Sequence, residues 1–169
     1  MSIWPFQRSR EDQDAALLLA AVTRASRAPE LYGPGRAPDT LEGRFELTTL
    51  FASLALIRLK AEKGAGALTQ NFADALFSQF DAGLREAAVG DLSVPKRMHK
   101  MAGSFYGRLG AYASALGADE HLAHAIGRNI MSDENAAFAA GLAPRLRALA
   151  AKQAASPVAD LLTDAGWKL

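Results

Sequence analysis

Residues 40–63 read TLEGRFELTTLFASLALIRLKAEK. The apolar positions Phe45, Leu47, Leu50, Phe51, Leu54, Leu56, Ile57 and Leu59 surround most of the circumference of a helix, and a helix that is apolar on nearly every side must be covered by other elements. Thr40 is placed to cap its first turn, because a threonine hydroxyl accepts from the free amides there. This helix is therefore expected at the centre of the fold. Upstream, Pro29, Gly33, Pro34, Gly35 and Pro38 impose a loop. The segment Glu11 to Arg27 before that loop has the apolar pattern with charged edges of a first helix.

Downstream, Gly64 and Gly66 end the central helix. A third helix from about Ala67 to Ala88 carries Phe72, Leu76, Phe80 and Leu84 one turn apart on a single stripe, with Asp81 and Arg85 paired four residues apart. Gly90 to Ser93 turns the chain, and Ser93 with Pro95 opens a fourth helix that Gly117 stops. On it Met98, Met101, Phe105, Leu109, Tyr112 and Leu116 form a core-facing stripe. Asp119 is expected to cap a fifth helix to about Ile130, Ser132 or Asp133 to start a sixth that Pro144 kinks, and Ser156 with Pro157 to start a short last one. No segment alternates with a period of two, so the expected fold is all-α, with about six to seven helices. It is expected to form one domain over residues 11–169 behind an N-terminal arm of residues 1–10.

Composition narrows the function. With 19 Lys and Arg against 18 Asp and Glu, the net charge of +1 gives no global attraction to nucleic acid or anionic lipid, and DNA is not expected as a partner. Cysteine is absent, which excludes disulfides, thiolate metal sites and cysteine nucleophiles. The apolar stretch Ile3 to Phe6 is too short for a signal peptide, and the longest apolar run, Ala15 to Val22, is far below the roughly 20 residues that cross a bilayer. The expected location is the cytoplasm or the inner face of a membrane, peripherally.

A search for chemistry finds no phosphate-binding glycine loop, no GxSxG and no HExxH. His121 and His124 offer two imidazoles on one helix face, but two ligands do not make a metal site. Met98, His99, Met101, Tyr106 and Tyr112 include side-chain types that ligate heme, yet the methionines lie on the packing stripe. Neither a metal nor a cofactor is expected, and no enzyme activity. What stands out is charge. Asp74, Asp81, Glu86 and Asp91 on the third helix and the turn after it precede Lys96, Arg97, Lys100 and Arg108 on the fourth, which places Arg97, Lys100, Ser104 and Arg108 on one basic face. The fourth helix also carries Gly103, Gly107 and Gly110, each costing up to about 1 kcal/mol relative to alanine. Close packing of another backbone within the bundle is the expected compensation.

Three segments, in order, carry a likeness to a known family: PDTLEGRFEL (Pro38 to Leu47), FDAGLREAAVGDLSVPKRMHKM (Phe80 to Met101) and FYGRLGAYASAL (Phe105 to Leu116), with a weaker IGRNI around Asn129. In these the chain resembles the ubiquinol-cytochrome c chaperone family over Leu31 to Leu116, about half its length. It departs from the family pattern at Ala88, where a glycine is usual, and at His99, where a basic residue is. The resemblance implies a non-catalytic helical assembly factor that binds newly made cytochrome b, a membrane-protein client, for the respiratory ubiquinol-cytochrome c reductase. It leaves room for a small partner subunit, the ribosome or the membrane surface as further contacts. A heme- or small-molecule-binding helical protein serving the same complex is the alternative, and it requires a closed pocket with His121, His124 or a methionine turned inward.

A chaperone of an apolar client needs an apolar groove with a polar rim. The expected wall is Phe80, Leu84, Met98, Met101, Phe105, Tyr106 and Tyr112, and the expected rim Asp81, Arg85, Lys96, Arg97, Lys100 and Arg108. A stripe so regular also serves the core, so fewer than half of these are expected to touch a client. Trp4 and Phe6, with Ile3, form an apolar tip that suits a cover over the groove or a membrane contact.

Overall fold

A computed structural model describes residues 9–87 and 93–169. Six α-helices follow in order: α1 (Arg10–Ser26), α2 (Leu41–Ala61), α3 (Gly66–Glu86), α4 (Val94–Ala115), α5 (Asp119–Ile126) and α6 (Ala137–Ala155). Short 3-10 turns span Pro29–Leu31, Val158–Leu162 and Asp164–Trp167, and α5 runs on into a π turn over Gly127–Met131. Among the described residues there is no strand; a lone bridge joins Tyr32 to Ala37. No described helix is long and apolar enough to cross a membrane.

The central position expected for α2 holds: every residue from Glu46 to Leu56 is buried. The helix is walled by α1, α3, α4 and the C-terminal turns, while α5 and α6 pair with each other at the far end. Thr40 caps it by accepting from the Gly43 amide at 3.1 Å. Gly43 is required there, because a Cβ would run into the Pro38 carbonyl. α1 starts on a capping box in which Ser9 and Asp12 exchange bonds of 3.1 and 3.2 Å. Asp12 also accepts from Asn71 at 2.8 Å, which ties the first turn of α1 to α3.

Several boundary details differ from expectation. Asp119 is the first residue of α5 rather than its cap, which is Ala118. Its carboxylate instead receives Arg147 of α6, whose other donors reach the Leu116 and Gly117 carbonyls at 2.9 and 3.1 Å, so one side chain holds the turn between α4 and α5. The sixth helix begins at Ala137 because Ser132 adopts a left-handed conformation and Asp133 accepts from the Asn135 amide at 3.0 Å, closing a tight turn first. α6 is continuous past Pro144. The last turns are fixed by the Trp167 indole, which is buried and donates to the Leu161 carbonyl at 2.8 Å, and by Arg58, which reaches the Gln153 and Ser156 carbonyls at 2.8 and 3.1 Å.

Four polar side chains interrupt the buried run of α2: Glu46, Thr48, Thr49 and Ser53. The two that bind a neighbouring helix do different work. Thr48 shares a hydrogen bond of 3.2 Å with Ser26 at the end of α1. Glu46 receives Arg108 of α4 on both carboxylate oxygens. Arg108 also donates to the Ser104 carbonyl at 3.2 Å and lies 5.9 Å from the centroid of the Phe45 ring. Burial pushes the Glu46 carboxyl above the usual carboxylate range, against the opposing pull of the guanidinium.

A pair in this position is expensive to break from one side, since the remaining charge stays buried. Arg108→Met is expected to lower the unfolding free energy by about 3 kcal/mol, and the double replacement Glu46→Leu with Arg108→Met to restore most of it. Without Arg108 the Glu46 carboxyl rises further. A raised carboxyl costs stability only where the unfolded chain is ionised, so the Arg108→Met deficit should shrink as the pH falls from about 7 toward about 5. Urea unfolding across that range measures both effects.

Candidate functional site

α4 lies against α2 and α3 and meets α3 through aromatic rings. Phe77 of α3 stands 5.3 Å from Phe105 and 5.9 Å from Tyr106. Phe80 continues the cluster, 5.9 Å from Phe77 and 5.0 Å from Phe45 of α2, in edge-to-face geometry. Two grooves open toward opposite ends of α2, each lined by residues of α2, α3 and α4.

The first groove, of about 320 Å³, lies between the start of α2 and the end of α3. Its apolar lining is Leu41, Phe45, Phe80, Leu84 and Met101, and Arg27, Arg44, Thr48, Gln79 and Glu86 supply polar edges. Arg44 is engaged, donating to Asp39 at 2.7 Å, and that bond holds the Asp39 carboxyl below its ordinary range. The second groove, of about 690 Å³, lies between the end of α2 and the start of α3 and includes Leu56, Ile57, Ala73, Tyr106, Leu109 and Ala113.

The expected wall is thus only partly a surface. Met101 is half-buried and lines the first groove, where Phe80 and Leu84 also border it but are themselves buried, and Tyr106 lines the second and is 58% exposed. Met98 is half-buried against the core. Phe105 and Tyr112 are wholly buried and belong to the core, because α4 turns that stripe onto α2 and α3. The rim divides in the same way. Lys96, Arg97 and Lys100 are exposed on the first turns of α4 and form no ion pair among the described residues. Arg108 leaves the basic face and is spent inward on Glu46, and Asp81 is held by Arg85 at 2.7 Å within α3. Trp4, Phe6, Ile3 and Asp91 lie outside the described residues.

One further expectation is corrected. Gly103, Gly107 and Gly110 have no atom of the described residues within 4 Å of where a Cβ would stand, so no close backbone contact among the described residues compensates for them. His121 and His124 are both exposed on α5, so neither is turned inward as the heme- or small-molecule-binding alternative requires. Sequence reasoning missed the contribution of α2 and α1 to the grooves, namely Leu41, Phe45, Leu56, Ile57 and Arg27. Periodicity held no signal for the α2 residues, since a helix apolar all round does not distinguish a half-exposed position from a buried one.

Comparison with known proteins follows the same lines. A family model described as ubiquinol-cytochrome C chaperone matches residues 35–166. The fold is similar to the crystal structure of the Cbp3 homolog from Brucella abortus, with a TM-score of 0.80 and 34% sequence identity over 91% of this chain and 87% of that one. No curated protein sequence matches significantly.

The open surroundings of the α4 glycines give a direct test. Gly103→Ala combined with Gly107→Ala should stabilise the protein by about 1–2 kcal/mol through helix propensity alone. Gly127→Ala should destabilise it, because a Cβ there collides with the Asp133 carbonyl. Thermal and urea unfolding of the two variants distinguish these outcomes.

Proposed function

The chain belongs to the ubiquinol-cytochrome c chaperone family, and from that premise we propose that it holds newly made cytochrome b while the ubiquinol-cytochrome c reductase is assembled. It acts by binding, without catalysis, in the cytoplasm or at the inner face of the membrane. The observation that carries this reading is the first groove, a space open at the surface and lined by the half-buried Phe45 and Met101 above the buried Phe80 and Leu84.

The size of the groove fits a temporary grip. Burying one large apolar side chain contributes about 1.5–3 kcal/mol, and a space of this volume takes one or two. After the cost of ordering the partner, such anchors give an affinity nearer micromolar than nanomolar. A client held this way can be passed on. The second groove, with Tyr106 at its edge, offers a further foothold across α4 for a longer segment.

Photo-crosslinking residues placed at Arg97 and Tyr106 in the full chain, in cells, should yield cytochrome b adducts, whereas the same residue at Arg145, exposed on α6, should not. Met101→Glu, which puts a charge on the groove floor, should reduce the adducts at least about fivefold while the protein stays folded. Equal capture at all three positions would overturn the reading.

A further inference from the structure

The cations around the first groove specify more than an apolar client. Arg27, at the end of α1, lines it on one side. Arg97 lies one helical turn before Met101, and Lys100 immediately before it, on the α4 side. All three are exposed and form no ion pair among the described residues, while the fourth cation, Arg44, is matched by Asp39. Glu86 is the one carboxylate among the described lining residues. The floor is apolar, and among the described residues Arg27, Arg97 and Lys100 outnumber the lining carboxylate Glu86.

We propose that the first groove selects an apolar segment flanked by carboxylates: aliphatic or aromatic side chains on Phe45, Phe80, Leu84 and Met101, and Asp or Glu side chains about one helical turn away on Arg27, Arg97 and Lys100. This rests on the client-binding reading above and names the kind of segment the client presents. The placement of the cations favours a peptide over a lipid surface. Arg27 is in the lining and Arg97 and Lys100 stand within one helical turn of the lining residue Met101, so a segment lying in the groove comes within reach of both sets, whereas a flat bilayer reaches the rims without filling the floor. Exposed pairs of this kind are individually weak, so their combined effect is selection among apolar segments rather than tight binding.

Three synthetic helical peptides with one apolar stripe, flanked by Glu, Gln or Lys, test this against the full chain by fluorescence anisotropy. The Glu peptide should bind about tenfold tighter than the Gln peptide at about 50 mM salt, and the Lys peptide weakest, with the differences collapsing at about 500 mM salt as the charges are screened. Combining Arg27→Glu, Arg97→Glu and Lys100→Glu should reverse the order with an unchanged circular dichroism spectrum. Equal binding of the Glu and Gln peptides, an order unaffected by the triple replacement, or no binding of any peptide would overturn the inference. So would phosphatidylglycerol vesicles that bind the same cations and displace the Glu peptide, since that outcome assigns the surface to lipid. The client reading is judged separately by the cytochrome b adducts: adducts that persist without any preference for Glu sink the charge selection alone.

Discussion

The bidentate pair between Glu46 and Arg108 is the constraint on which the arrangement of α4 depends. α2 offers an almost continuous apolar surface, and apolar packing alone sets no unique position for a helix laid on it. A carboxylate with a side-chain exposure of 12% is different, because it tolerates one partner in one place. Arg108 meets that need and so fixes which turn of α4 lies over the start of α2. The ordering of the aromatic rings follows, since Phe105 is then directed at Phe77 and Phe80, and Arg108 itself is placed against Phe45.

From that fixed point both grooves follow geometrically. Helices joined tightly at a crossing diverge away from it. α4 is joined to α3 by rings in its middle, and the space left on either side is apolar because α2 beneath it is apolar all round. The same feature that makes α2 the centre of the fold therefore supplies the floor of the surface. A more amphipathic α2 would have placed polar residues at Phe45 or Ile57 and left clefts without adhesive character.

The fold was largely legible because its signals are local. The stripe Phe72, Leu76, Phe80 and Leu84, the Thr40 cap and the glycines after α2 each act within a turn or two of helix, and the structure has them where the sequence places them. The site was legible only in part, because its formation is not local. Periodicity groups Phe105 and Tyr112 with Met101 on one stripe of α4, yet only a knowledge of what covers that stripe separates the buried pair from the groove residue. Arg108 shows the limit most clearly. On its own helix it continues a basic face, and its acidic partner lies 62 residues away in sequence on α2, invisible to any reading of neighbouring charges. Asp119 was misread for the same reason, since its Arg147 partner is 28 residues distant.

The glycines of α4 bring stability and function into one account. An exposed helix segment with Gly103, Gly107 and Gly110 is intrinsically weaker than its neighbours, and among the described residues nothing packs against the glycines themselves. Its order is borrowed from the Arg108 clamp and the packing of Phe105 and Tyr112 on its inner side. Segments stabilised chiefly from one side are those that loosen first without global unfolding. In the client-binding reading proposed above, an apolar client enters and leaves grooves bordered by this helix, and rigid walls would slow both steps. A helix firmly held at one charged contact and weak along its outer face keeps the grooves in register while leaving their α4 wall able to yield.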